Sequence, residues 1–169
     1  MWWSEPTSRR ALLAAAPALL AACGFTPLYG PGTPAAGMLG RIEVGPLEGA
    51  TGFALREELT GRLGPAAAPT HRLDVELELT EAGVALTQQD ITTRFDVIGT
   101  ATYALVPLAG GPPVASGVVR SVTGYSAPES ETASAFASRV AGQDAERRLA
   151  VDLADQIVQR LALSAGRWT

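Results

Sequence analysis

Residues 71–80 read HRLDVELELT. Leu73, Val75, Leu77 and Leu79 alternate with Arg72, Asp74, Glu76, Glu78 and Thr80, the period-two signature of a strand with one face in a core and the other in water. Downstream, after a polar stretch around Gln88, Gln89 and Asp90, residues 94–106 (RFDVIGTATYALV) place Phe95, Val97, Ala101, Tyr103 and Leu105 on one side. Gly110-Gly111-Pro112-Pro113 makes a turn, and residues 114–125 (VASGVVRSVTGY) return as a further strand antiparallel to it. Three strands in succession form a meander.

Upstream of residue 71, residues 41–47 (RIEVGPL) form a short strand closed by Gly45-Pro46. Thr51 then caps a helix of about three turns in which Leu55, Leu59 and Leu63 recur every four residues, ended by Gly64-Pro65. From about 132 to 163 the pattern is helical again. Phe136 and Val140, then Leu149, Leu153, Ile157 and Leu161, form the apolar stripe, with Arg147, Arg148, Asp152, Asp155 and Arg160 off it and Gly142 placed to bend or divide the helix. The predicted fold is α+β: a two-layer sandwich of two helices on a four-stranded mixed sheet, in the order β-α-β-β-β-α.

The N-terminus is an address. Residues 8–23 read SRRALLAAAPALLAAC: two arginines, twelve uncharged residues and a cysteine. Twelve helical residues span about 18 Å against a hydrocarbon core of about 30 Å, and Pro17 interrupts them, so a secretory signal is expected rather than a membrane span. Leu20-Ala21-Ala22-Cys23 is similar to a lipobox, which makes Cys23 the expected site of an N-acyl diacylglyceryl group carrying palmitate-type chains; the alternative is a buried thiol behind an ordinary signal. Gly24 in place of an aspartate favours the outer membrane by resemblance to bacterial lipoproteins. The arginine pair also resembles a twin-arginine export signal, so both export routes stay open. The organisation expected is a signal peptide at 1–22, a lipidated Pro/Gly-rich tether at 23–40 without helix or strand, a domain at 41–164 and a tail at 165–169.

The 169 residues carry 13 arginines, no lysine and 17 acidic side chains. Without residues 1–22 the balance is 11 basic to 16 acidic, which leaves no footprint for nucleic acid. One histidine and one cysteine supply no zinc ligand set, and no nucleophile elbow, P-loop or dinucleotide fingerprint is present. His71 could pair with a serine and an acid, yet it stands where a linker enters a strand and reads as an edge residue. Asp74, Glu76 and Glu78 could form an acid pair or calcium site, but alternation alone produces such a row. No cofactor, metal or catalytic residue is expected, and a binding or structural role remains.

Residues 23–30, CGFTPLYG, resemble the mature start of the LptE-type lipopolysaccharide-assembly lipoproteins, in particular the alphaproteobacterial type. The resemblance continues through Tyr103-Ala104-Leu105, Ser116-Gly117 with Arg120 and Tyr125, and Gln143-Asp144-Ala145-Glu146-Arg147-Arg148. It implies a lipid-anchored protein on the periplasmic side of the outer membrane, acting as plug and assembly factor of an LptD-type β-barrel, with lipopolysaccharide as the transported partner. Lipopolysaccharide carries phosphates, which guanidinium groups bind well, so Arg94 and Arg120 are the candidate contacts, against a reading as routine surface charge. The rival function is an auxiliary lipoprotein of an ABC-type lipid or solute transport system.

Overall fold

The computed structural model describes residues 27–86, 92–127 and 134–168. In chain order the elements are α1 (Pro34–Gly37), β1 (Ile42–Val44), α2 (Gly49–Leu63), β2 (His71–Leu86), β3 (Thr92–Pro107), β4 (Ala115–Ser126) and α3 (Ser134–Ser164), followed by a 3-10 turn (Ala165–Arg167). The sheet order is β1-β2-β3-β4. β1 runs parallel to β2, with Ile42 opposite His71, and the meander is antiparallel, with Leu77 opposite Ala101 and Ala101 opposite Val119. The expected α+β sandwich with a four-stranded mixed sheet is the fold observed.

Alternation decides which side chains meet the helices. Leu73, Val97, Ala101, Tyr103, Leu105, Val119 and Thr123 are buried, while their even-numbered neighbours face away. On the helix side, Leu55, Leu59 and Leu63 of α2 and Leu149, Leu153, Ile157 and Leu161 of α3 are all fully buried. At roughly 1.5–3 kcal/mol for each such side chain removed from water, this double row is the main favourable contribution to folding. α3 also has a small-residue flank, Ala150 and Ala154, both at 0% exposure, as it packs with α2. Where α3 crosses β3, Gly99 removes the obstacle: a Cβ there would sit 2.7 Å from Leu149 Cδ2 and 3.1 Å from Leu153 Cδ1.

A second row of α3 clasps the edge strand. Arg148 Nη2 donates to the Gly124 carbonyl (3.2 Å), Gln156 Nε2 to that of Arg120 (3.2 Å) and Arg160 Nη1 to that of Val118 (2.9 Å), while Asp152 accepts from Ser121 Oγ (3.2 Å). Four side chains at i, i+4, i+8 and i+12 thus follow β4 down its length. An edge strand whose carbonyls already have donors offers less of a template for another chain.

Several sequence expectations are corrected. Residues 34–37 form one helical turn despite their breakers: Pro34 occupies a first-turn position where its missing N–H costs nothing, and Thr33 Oγ1 accepts from the Ala36 N–H. Ala35 and Met38 join the core, and Gly40 N–H donates to the Leu63 carbonyl, so this stretch is packed onto the domain. Thr51 does not cap α2, which begins at Gly49 behind an extended Glu48. Gly142 does not divide α3, which runs unbroken past it beside Tyr125, whose ring carbons lie 3.6–3.7 Å from the position of a Cβ, an ordinary contact distance. Phe136 (74% exposed) and Val140 lie outside the core, because the turns of α3 before Gly142 lie beyond the point where it meets the end of β4. Leu79, midway along β2 and opposite Gly99, is exposed as well. Among the described residues no helix is long and apolar enough to cross a membrane.

The buried Thr51 has another task. Its hydroxyl donates to Glu146 Oε2 at 2.6 Å, tying the first turn of α2 to α3. Thr51→Val keeps the shape and removes the donor to a charged acceptor. A loss of about 1.5–3 kcal/mol in unfolding free energy is expected by urea titration, and a change within 0.3 kcal/mol would remove the bond from the account.

Candidate functional site

With both helices on one side, the other face of the meander is uncovered. Its residues form rows across the strands: Glu78, Thr100 and Arg120 in one register, Glu76, Thr102 and Val118 in the next, and Thr80, Ile98 and Val122 in a third. Val118 and Val122 are each about half exposed. The face therefore grades from acidic on β2, through threonines on β3, to a mix of valine and arginine on β4. It is wide and mainly polar, suited to a large complementary surface.

Both candidate arginines belong to this face. Arg94 is opposite Ser126 and Arg120 is opposite Thr100. Six residues of β3 separate the two levels, about 20 Å of strand, so they cannot grip one phosphate together. Arg94 Nη2 and Asp96 Oδ1 both lie over Gly124, at 3.7 and 2.9 Å from where a Cβ would stand. Arg120 is exposed on the edge strand β4, and among the described residues no carboxylate forms an ion pair with either. Two separated, unpaired cations can each receive an anion. Cys23 lies outside the described residues.

The acidic row is what alternation predicts. Arg72 holds Asp74 through two bonds of 2.8 and 3.0 Å, and that carboxylate raises the guanidinium pKa. Among the described residues no group of three or more His, Cys, Asp or Glu could hold a metal ion. His71 Nδ1 is 2.9 Å from Thr70 Oγ1, and its ring meets Trp168 edge-on at 5.3 Å; partial burial lowers its pKa. Among the described residues no carboxylate or serine pairs with it, so the parts of a nucleophilic triad are not assembled there. What the sequence reading missed is the role of Arg148, Gln156 and Arg160: they touch β4 and are not simply solvated. Together with Asp152 they recur every four residues, which was the available signal.

A family model described as LptE, lipopolysaccharide-assembly, matches residues 39–161, from just before β1 to the last turns of α3. No curated protein matches the chain. Among solved structures, the chain is similar to a lipoprotein from Caulobacter crescentus CB15 at 22% identity and a TM-score of 0.63, over 78% of this chain and 96% of that one. Rare lipoprotein B from Shewanella oneidensis is similar at 14% identity and a TM-score of 0.55, over 73% and 93%. A minor lipoprotein from Acinetobacter baumannii is similar at 16% identity and a TM-score of 0.52, over 73% and 89%. At these identities the likeness to the solved structures is one of fold.

Proposed function

This chain belongs to the LptE lipopolysaccharide-assembly family, and from that premise we propose that it is a lipoprotein acylated at Cys23, held on the periplasmic side of the outer membrane, that plugs and helps assemble an LptD-type β-barrel. The observation that carries this reading is the extent of the family match, which takes in the whole sandwich from β1 to Leu161 and leaves only the N-terminal segment and the last few residues outside.

The uncovered sheet face supports it physically. A plug must present hydrogen-bonding groups to a water-filled lumen while its own core stays dry, and a sheet with helices on one side only does both. Arg94 and Arg120 on that face are the proposed contacts for lipopolysaccharide phosphates. The role is one of binding and assembly, not of catalysis.

The test is a photo-crosslinking residue at Val118, beside Arg120 on the uncovered face. The expected product is a near-stoichiometric adduct with a large outer-membrane barrel protein, and depletion of the chain should leave that barrel misassembled. An adduct with an inner-membrane ABC transporter would favour the auxiliary-lipoprotein role instead. Mass spectrometry of the membrane-extracted protein tests Cys23 separately.

A further inference from the structure

The described chain begins at Pro27, and the surface around that point differs from the rest of the molecule. Three shallow depressions adjoin there. One, of about 510 Å³, is walled by Leu28, Tyr29, Leu39 and Val158. The second, of about 370 Å³, shares Leu28 and reaches Leu163 on the last turn of α3. The third, of about 490 Å³, shares Leu163 and is bounded by Val114, Tyr103, Arg160 and Arg167. The result is a continuous strip of exposed apolar side chains, Leu39, Tyr29, Leu28, Leu163 and Val114, in which Leu163 is 69% exposed although Leu161, two residues earlier, is fully buried.

Its charge is also unlike the rest. The mature chain has 16 acidic residues to 11 basic, yet among the described residues the only acid lining the three depressions is Asp155, and it is ion-paired with Arg62 at 2.6 Å. Arg160 and Arg167 flank Leu163 with no carboxylate in ion-pair distance among the described residues. A rim of arginine beside leucine and tyrosine is the composition that suits a lipid headgroup layer: the rings and aliphatic chains enter the acyl boundary and the guanidinium groups meet phosphates.

The third observation is reach. Four residue steps separate Cys23 from Pro27, at most about 14 Å of extended chain. Fatty chains on Cys23 would therefore hold Leu28 and Tyr29 close to the bilayer surface. We propose that this end of the domain is a bilayer-docking face, in which Leu28, Tyr29, Leu39 and Leu163 seat among the headgroups of the leaflet that receives the anchor, and Arg160 and Arg167 bind phosphates of anionic phospholipid. The proximity step rests on the acylation of Cys23 proposed above; the surface itself does not. Docking fixes the orientation of the sandwich on the membrane, a property that a flexible tether alone could not give.

The test uses the mature chain from residue 23 with Cys23→Ser, so that no covalent lipid contributes, mixed with vesicles of phosphatidylethanolamine and phosphatidylglycerol. Trp168 is the only tryptophan after Cys23 and lies just beyond α3, so brominated acyl chains should quench it on docking. Leu28→Asp with Leu163→Asp, both on exposed positions, should reduce vesicle partitioning by about tenfold or more, with far-UV circular dichroism unchanged. Arg167→Gln should weaken binding to vesicles containing phosphatidylglycerol and leave binding to vesicles of phosphatidylethanolamine alone unaltered. Absence of vesicle binding, or binding indifferent to these substitutions, overturns the proposal. So does a concentration-dependent dimer abolished by the two aspartates, which would make a second copy the occupant of the strip. Loss of docking with Cys23 found acylated in the native protein would leave the anchor reading standing, and docking with Cys23 unmodified would do the reverse.

Discussion

Leu153→Ala is expected to lower the unfolding free energy by about 2–5 kcal/mol, the range for a fully buried leucine whose surroundings cannot collapse into the gap. Leu153 is 0% exposed at the middle of the α3 stripe, and its Cδ1 stands over Gly99 of β3. The residue below is already a glycine, so nothing on the sheet side can extend to fill the space. Urea titration should show a lower midpoint with an unchanged slope. The control is Leu163→Ala on the same helix, where the side chain is exposed and the change should stay within about 0.5 kcal/mol. Equal effects at the two positions would mean that α3 is not seated as described.

The opposite manipulation at the same crossing is the second large effect. Gly99→Val adds three carbons where the first alone would lie 2.7 Å from Leu149 Cδ2 and 3.1 Å from Leu149 Cγ. Overpacking of this kind costs about 1–3 kcal/mol even after side chains adjust. In a Leu149→Ala background the added carbons have a place to go, so the two substitutions should compensate. A double-mutant cycle is expected to give a coupling of about 1–3 kcal/mol in the favourable direction. Simple additivity would show that residue 99 and residue 149 do not meet.

The strands and the helix stripe were legible because each is a local pattern with its own period. Residues 71–80 needed no tertiary information, since nine residues of strict alternation already state which side is dry, and residues 149–161 repeat a leucine or isoleucine every four. Phe136 and Val140 show where that reasoning stops: they continue the stripe in sequence, but where the sheet beneath a helix ends depends on where another strand ends. Thr51 shows the same limit, because a threonine near a helix start carries the cap signal whether its hydroxyl turns to the backbone or to Glu146. The one-turn helix at Pro34–Gly37 was hidden by composition, since a proline that breaks a helix in its middle is well placed in its first turn. Of the candidate site, alternation set Arg94 on the side of β3 away from Phe95 and Val97, whereas the face it shares with Arg120 and the roughly 20 Å between them are matters of register. The strip around Leu28 and Leu163 had no sequence signal, because it is assembled from segments more than a hundred residues apart.

The clasp of α3 on β4 has a geometrical limit built into it. Four residues of helix advance about 6 Å, whereas two residues of strand advance about 6.7 Å, so two rulers of slightly different pitch are being matched mark against mark. From Arg148 to Arg160 the helix travels about 18 Å and from Gly124 to Val118 the strand travels about 20 Å, which leaves a shortfall of about 2 Å by the last mark. The side chains at the two outer marks are arginines, the longest arms available, and the inner ones are aspartate and glutamine. Such a zip can absorb its error for about three turns; a longer strand would run out of phase with its helix and leave its outermost carbonyls to find water.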